Sequence, residues 1–195
     1  MNVGIMGGTF DPIHTGHLIA AEQARIGGGL DQVWFIPTNV PPHKSDAPKA
    51  SVRQRWEMVC RATAENPFFR PIDIEIRKGG VSFSIDTVEL LRNEYPDIRF
   101  SYIIGADMVQ YLPNWHRIED LAVKISFIGL KRPGYELAMD TLPPQLASRV
   151  SIVTMPLIEL SSTGIREERN RGGSIRYMVP EPVFEYIEVN RLYEP

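Results

Sequence analysis

The chain has 195 residues, 43% hydrophobic and 23% charged, the balance of a folded protein with a full core and not that of a disordered one. A formal net charge of -3 argues against a protein that grips nucleic acid by neutralising many phosphates, although a small basic pocket is invisible in such a sum. No apolar run is long enough to span a bilayer, and Met1–Gly8 lacks the basic start and long apolar stretch of a secretory signal. Neither a nucleic-acid nor a membrane partner is therefore expected, and the cytoplasm is the expected compartment. Cys60 is the single cysteine, so the chain alone can make no disulfide, and Cys60 reads as a small buried hydrophobe within a helix.

Apolar runs alternate with amphipathic stretches, the order of an α/β protein with a mostly parallel sheet. Asn2 to Met6 reads as the first strand. A helix from about Gly16 to Arg25 follows, with Leu18, Ile19, Ala21 and Ala24 facing inward, and Gly27-Gly28-Gly29 stops it. Val33 to Ile36 is the next strand, ended by Pro37. Residues 38–50 contain Pro41, Pro42 and Pro48 with little apolar content and read as an exposed loop. Ser51 caps a helix running to about Glu65. A strand is expected near Ile72 to Arg77, then a Gly79-Gly80 turn, and Ser84 opens a helix towards Tyr95. Phe100 to Ile104 and Lys124 to Leu130 read as buried strands. Pro143-Pro144 starts a short helix, Val150 to Thr154 is the last strand, and helices are expected over Ser161 to Arg169 and Glu181 to Asn190. With no repeat and no linker-like shift in composition, residues 1–195 are expected to form one domain, with a C-terminal helical part, about 161–195, packing on it.

The first strand ends in Gly7-Gly8, where an open α/β sheet collects ligands. Glycine lets the backbone approach a phosphate and aim its N–H groups at the oxygens. His14 and His17 follow, the second near a helix N-terminus, which itself favours anions. The segment is neither the Gly-x-Gly-x-x-Gly fingerprint nor a Gly-Lys-Ser/Thr P-loop, so a dinucleotide oxidoreductase is poorly supported. The run Gly8-Thr9-Phe10-Asp11-Pro12-x-His14-x-Gly16-His17 resembles the signature of the nucleotidyltransferase superfamily related to the class I aminoacyl-tRNA synthetases. The resemblance implies a Rossmann-like fold and an ATP site built from Gly7, Gly8, Thr9, Phe10, Gly16 and the two histidines. There His14 and His17 would bind the triphosphate and stabilise charge at the α-phosphorus.

Leu160-Ser161-Ser162-Thr163-Gly164-Ile165-Arg166 is, by itself, an ordinary helix N-cap; its hydroxyls and the forked guanidinium could equally grip phosphate. It resembles the Ser-Ser-Thr-x-Ile-Arg element of bacterial nicotinate-mononucleotide adenylyltransferases, which implies an ATP-phosphate clamp of Ser161, Ser162, Thr163, Ile165 and Arg166. Three further blocks resemble that family in the same order. Pro41-Pro42-His43-Lys44 implies a phosphate contact, with a catalytic part, for Lys44. Gly105-Ala106-Asp107 through Leu112-Pro113-x-Trp115 implies an acceptor site in which Trp115 stacks on a pyridine ring and the backbone N–H of His116 meets its carboxylate. Ile128 to Gly134 implies an adenine-side contact for Arg132. Ser84 stands where the family commonly has a threonine that contacts the same carboxylate, and Gly8 and Thr9 border the acceptor as well as ATP. The chain departs from the family pattern at Phe83, commonly tyrosine, and at His116, often aromatic. A protonated imidazole at 116 would attract a carboxylate and make acceptor binding pH-dependent.

The implied reaction joins ATP and nicotinate mononucleotide to give nicotinate adenine dinucleotide and pyrophosphate. Mg²⁺ would be carried with ATP; no resident metal site and no tightly bound organic cofactor are expected. The nicotinamide-mononucleotide and pantetheine-phosphate adenylyltransferases, and a catalytically silent nucleotide sensor, are the rival readings. A homo-oligomer is compatible with any of them.

Overall fold

β-branched and aromatic runs bounded by glycine and proline produce the six strands found among the described residues. The computed structural model describes residues 1–41, 47–134 and 139–195. Strands β1 (Asn2–Gly8), β2 (Gln32–Pro37), β3 (Phe69–Pro71), β4 (Arg99–Gly105), β5 (Ser126–Lys131) and β6 (Val150–Thr154) form one sheet in the order β3-β2-β1-β4-β5-β6. All five pairings are parallel. The helices are α1 (Thr15–Gly27), α2 (Val52–Thr63), α3 (Ile74–Lys78), α4 (Ser84–Glu94), α5 (Ala106–Tyr111), α6 (Ile118–Lys124), α7 (Pro144–Ala147), α8 (Ser162–Asn170) and α9 (Glu181–Val189).

Successive strand residues point to opposite faces, and both faces are covered. Val33, Phe35, Ile103 and Ile128 pack with Ala21 and Ala24 of α1, Met58 and Val59 of α2, and Val183 and Ile187 of α9. On the other face Val3, Ile5, Trp34, Ile36, Tyr102 and Phe127 pack with Ile85, Val88 and Leu91 of α4 and Leu121 of α6. Burial on both sides explains why these strands read as continuous apolar runs and not as alternating ones.

Local signals place the helix starts. The Ser51 hydroxyl accepts from the Gln54 N–H at 3.3 Å while the Gln54 side chain accepts from the Ser51 N–H at 2.9 Å, a reciprocal cap. Ser161 caps α8 by accepting from the Gly164 N–H at 3.1 Å.

Several boundaries differ from expectation. The segment Ile72 to Arg77 is not a strand: β3 is Phe69–Pro71, and Ile74–Lys78 is helical. The alternation Ile72-x-Ile74-x-Ile76 imitates a period of two, but the backbone closes helical hydrogen bonds there, the Arg77 N–H donating to the Asp73 carbonyl at 2.9 Å and the Gly79 N–H to that of Glu75 at 3.0 Å. Pro71 lacks an N–H and closes an edge strand. Lys124 ends α6 instead of opening β5. The residues between β4 and β5, left unassigned in the sequence, form α5, a 3-10 turn at Leu112–Asn114 and α6. Ile19 is only partly buried, and Ala50, expected in an exposed loop, is buried.

Connections leave β1 towards β2 on one side and β4 on the other. The chain order therefore reverses at β1/β4, and a crevice opens beyond Gly7-Gly8 and Gly105.

Candidate active site

A cleft of about 830 Å³ occupies that crevice. Its walls include Gly7, Gly8, Thr9, His14, Gly16 and His17 from the first motif, and Ser161 and Ser162 from the last. Ser84, Gly105, Asp107, Trp115, His116 and Arg132 line the same space. Two segments separated by some 150 residues of chain thus meet, Ser162 Oγ reaching the Pro12 carbonyl.

The two histidines are fixed by the start of α1. His14 is the N-cap in extended backbone, and its N–H donates to His17 Nδ1 at 3.1 Å. Nδ1 of His17 is thus unprotonated, and the proton of the neutral ring sits on Nε2. The rings stack with centroids 3.7 Å apart, and Phe10 meets His17 edge-on at 5.1 Å. Burial lowers the His14 pKa to about 4; burial, and then the neighbouring His14, lower that of His17 to about 3. At neutral pH both rings are uncharged hydrogen-bonding groups. Space for a side chain is short around them: a Cβ on Gly16 would lie 3.0 Å from His14 Nδ1, and one on Gly7 would lie 2.5 Å from the Tyr102 hydroxyl.

Asp11 serves the frame of the cleft and not its wall. It is 4% exposed and accepts from the Lys49 N–H at 2.8 Å, the Ala50 N–H at 3.0 Å and the Tyr193 hydroxyl at 2.8 Å. Arg166 Nη1 donates to the Asp11 carbonyl at 2.8 Å, and its Nη2 donates to Thr163 Oγ1 at 3.2 Å. Ser162 Oγ donates to the Pro12 carbonyl at 2.9 Å. The last motif is therefore hydrogen-bonded onto the first.

At the acceptor end, Trp115 follows the 3-10 turn, with its ring at 88° to both Tyr102, 5.6 Å away, and Phe127, 6.3 Å away. His116 is exposed and packs on Phe83 with centroids at 4.5 Å. The Tyr102 hydroxyl is hydrogen-bonded with Ser84.

Not every residue expected at the site lines the cleft. Phe10 and Ile165 are core residues beneath it, 2% and 1% exposed. Thr163, which is exposed, and Arg166 are not among the residues that line it, and Arg166 joins the two motifs as described. Lys44 lies outside the described residues. Cys60 is half-buried on α2, and burial pushes its thiol up to about 11, which keeps it protonated and unreactive at neutral pH.

The sequence matches the cytidylyltransferase-like family model over residues 5–168. A nicotinate-nucleotide adenylyltransferase of Bacillus subtilis is 42% identical over 192 residues, 98% of each chain. A Bacillus pumilus protein named "Probable nicotinate-nucleotide adenylyltransferase" is 44% identical over 192 residues, again 98% of each. The chain belongs to the nicotinate-nucleotide adenylyltransferase family. Its fold is shared with the Plasmodium falciparum nicotinic acid mononucleotide adenylyltransferase complexed with NaAD, at a TM-score of 0.80, 18% identity and coverage of 98% and 97% of the two chains.

In this adenylyltransferase family member, the buried Arg55, Glu75 and Tyr102 and the partly buried Tyr193 escaped the sequence reading. Arg55 is 0% exposed and donates from Nη1 to the carbonyls of Thr9 and Thr38 at 2.8 and 2.7 Å, and from Nη2 to that of Asn39 at 3.2 Å. It thereby holds the ends of β1 and β2 together at the floor of the cleft. Helical spacing carries the signal for it: Arg55 stands three and four residues before Met58 and Val59, within the buried stripe of α2. Among the described residues no group of three or more histidine, cysteine or acidic side chains could hold a metal, and no helix is long and apolar enough to cross a membrane.

Proposed function

We propose that the chain transfers AMP from Mg²⁺-bound ATP to nicotinate mononucleotide, releasing pyrophosphate and forming nicotinate adenine dinucleotide for NAD assembly. The observation that carries the reading is the neutral, stacked His14–His17 pair at the N-terminus of α1, in one cleft with Ser161, Ser162 and Trp115. The family relationship sets the substrate class.

The attacking group is an acceptor phosphate oxygen, already anionic near neutral pH, so no general base is needed. A new P–O bond forms at the α-phosphorus as the α–β anhydride bond breaks, and the electron pair leaves with pyrophosphate. The barrier lies in bringing two polyanions together and in the charge that moves to the leaving group, so orientation and placed donors do the catalysis. In this assignment the N–H groups of Gly8 to Phe10 and His17 Nε2 serve the α-phosphate. His14, Ser162, Thr163 and Arg166 serve the β/γ end. An arriving triphosphate would supply the negative charge that favours protonation of the histidines. Arg132 is assigned to the adenine side. Trp115, with Ser84, the His116 N–H, Gly105 and Asp107, is assigned to the acceptor. Lys44 is assigned by resemblance alone. Mg²⁺ enters with ATP as part of the substrate. Residues 1–195 are taken as one domain working in the cytoplasm on soluble nucleotides; the packing of α9 against α2 supports a C-terminal part docked on the sheet.

The test is pyrophosphate release from ATP and Mg²⁺ with nicotinate mononucleotide and its amide side by side. Strong turnover of the acid with little of the amide is expected. Equal turnover of the two would refute the acid-specific pocket, and none with either would refute the reaction.

A further inference from the structure

Among the described residues, three that line the cleft each carry a buried side-chain atom with no hydrogen-bond partner: His14 Nδ1, Thr38 Oγ1 and Glu75 Oε2. His14 belongs to the first motif. Thr38 and Glu75 belong to none, and the reaction as assigned above does not use them.

Both are held firmly in place. Glu75 is 2% exposed; its Oε1 accepts from Thr87 Oγ1 at 2.6 Å, and the Ser82 hydroxyl also bonds to the carboxylate. Ser82 Oγ in turn accepts from the Asn39 N–H at 3.0 Å. The Thr38 N–H donates to the Gly8 carbonyl at 2.9 Å, and the Thr38 carbonyl accepts from Arg55 at 2.7 Å. A buried carboxylate oxygen without a donor is costly, and burial accordingly raises the Glu75 pKa.

Their position selects the ligand group. Glu75 adjoins Ser82 and α4, which begins at Ser84, the acceptor end with Tyr102 and Trp115. Thr38 adjoins Gly8, the phosphate end. A nucleotide with its ring at the first and its phosphate at the second must lay its ribose between them. Ribose hydroxyls can donate to a carboxylate oxygen and exchange a hydrogen bond with a threonine hydroxyl. An ionised pyridine carboxylate has no donor and would be repelled by Glu75.

We propose that Thr38 and Glu75 form the ribose subsite of the acceptor nucleotide, a ribose hydroxyl donating to Glu75 Oε2 beside Thr38 Oγ1. This rests on nicotinate mononucleotide being the acceptor. The experiment measures kcat and KM for nicotinate mononucleotide and its 2′-deoxy and 3′-deoxy analogues, using the unaltered chain, Glu75→Gln and Thr38→Val. In Glu75→Gln the amide oxygen keeps the Thr87 and Ser82 bonds and an NH₂ takes the place of Oε2, so the hydrogen-bond acceptor is lost with little change of volume.

The unaltered chain should lose about 10-fold in kcat/KM on removal of at least one hydroxyl. Each variant should raise KM for the natural acceptor about 10-fold, leave KM for ATP unchanged, and narrow the discrimination against the deoxy analogue. Equal kcat/KM for all three acceptors in the unaltered chain would overturn the subsite, as would discrimination unchanged in both variants. If Glu75→Gln fails to fold, Thr38→Val, which replaces a hydroxyl with a methyl of similar size, decides alone. Failure of the unaltered chain to turn over nicotinate mononucleotide would overturn the acceptor reading and the subsite together; turnover without any ribose effect overturns the subsite only.

Discussion

Two neutral imidazoles, His14 buried and His17 partly so, should make stability fall as the solution is acidified. His14 and His17 have pKa values near 4 and 3 in the fold, against about 6.5 in an unfolded chain. Between these values the unfolded state binds more protons, so stability is full above about pH 6.5 and is lost as pH falls towards the folded values. From pH 7 to pH 5 the linkage gives a loss of about 2 kcal/mol for each ring, about 4 kcal/mol together. Glu75, whose pKa is raised by burial, acts with the opposite sign, since protonation relieves it in the fold. A comparison of parent and variant isolates the histidines from it. Urea unfolding at pH 7, 6 and 5 of the parent and of a His14→Asn/His17→Gln variant is the assay. The parent should lose about 4 kcal/mol more than the variant across that range. A stability difference between the two that stays constant from pH 7 to pH 5 would refute neutral burial of the pair.

Two further outcomes are expected. His17→Ala should lower turnover about 100-fold or more with KM for ATP little changed; an unchanged turnover number removes His17 from the chemistry. Arg55→Met should cost about 3 kcal/mol in urea unfolding, because three carbonyls at the ends of β1 and β2 lose their donor; a cost under about 1 kcal/mol would mean the strand ends hold without it.

The site was legible wherever chemistry clusters along the chain. Gly7, Gly8, His14 and His17 fall within one strand–loop–helix unit, and the hydroxyls of Ser161 and Ser162 stand at the start of one helix, so neighbours in sequence are neighbours in space. The strands β1, β2 and β4 were equally legible, because a parallel strand buried on both faces is a bare apolar run; the exposed edge strand β6 was legible from its β-branched residues. Where burial mixes polar and apolar residues the pattern misleads. Glu75 beside Ile74 turned an apparent strand into a helix, and Arg55 occupies a place in a stripe that otherwise holds Met58 and Val59.

By itself the sequence determined the α/β class, the glycine-lined turn for phosphate, the two histidines and the family blocks, since each depends on residues within about one helical turn or strand. Only the tertiary structure decided that Arg166 reaches the carbonyl of Asp11, that Tyr193 bonds its carboxylate, and that Thr38 and Glu75 share a wall with Trp115. Those contacts join elements distant in sequence, and they exist because the order β3-β2-β1-β4-β5-β6 brings the ends of β1, β2 and β4 to one edge of one sheet.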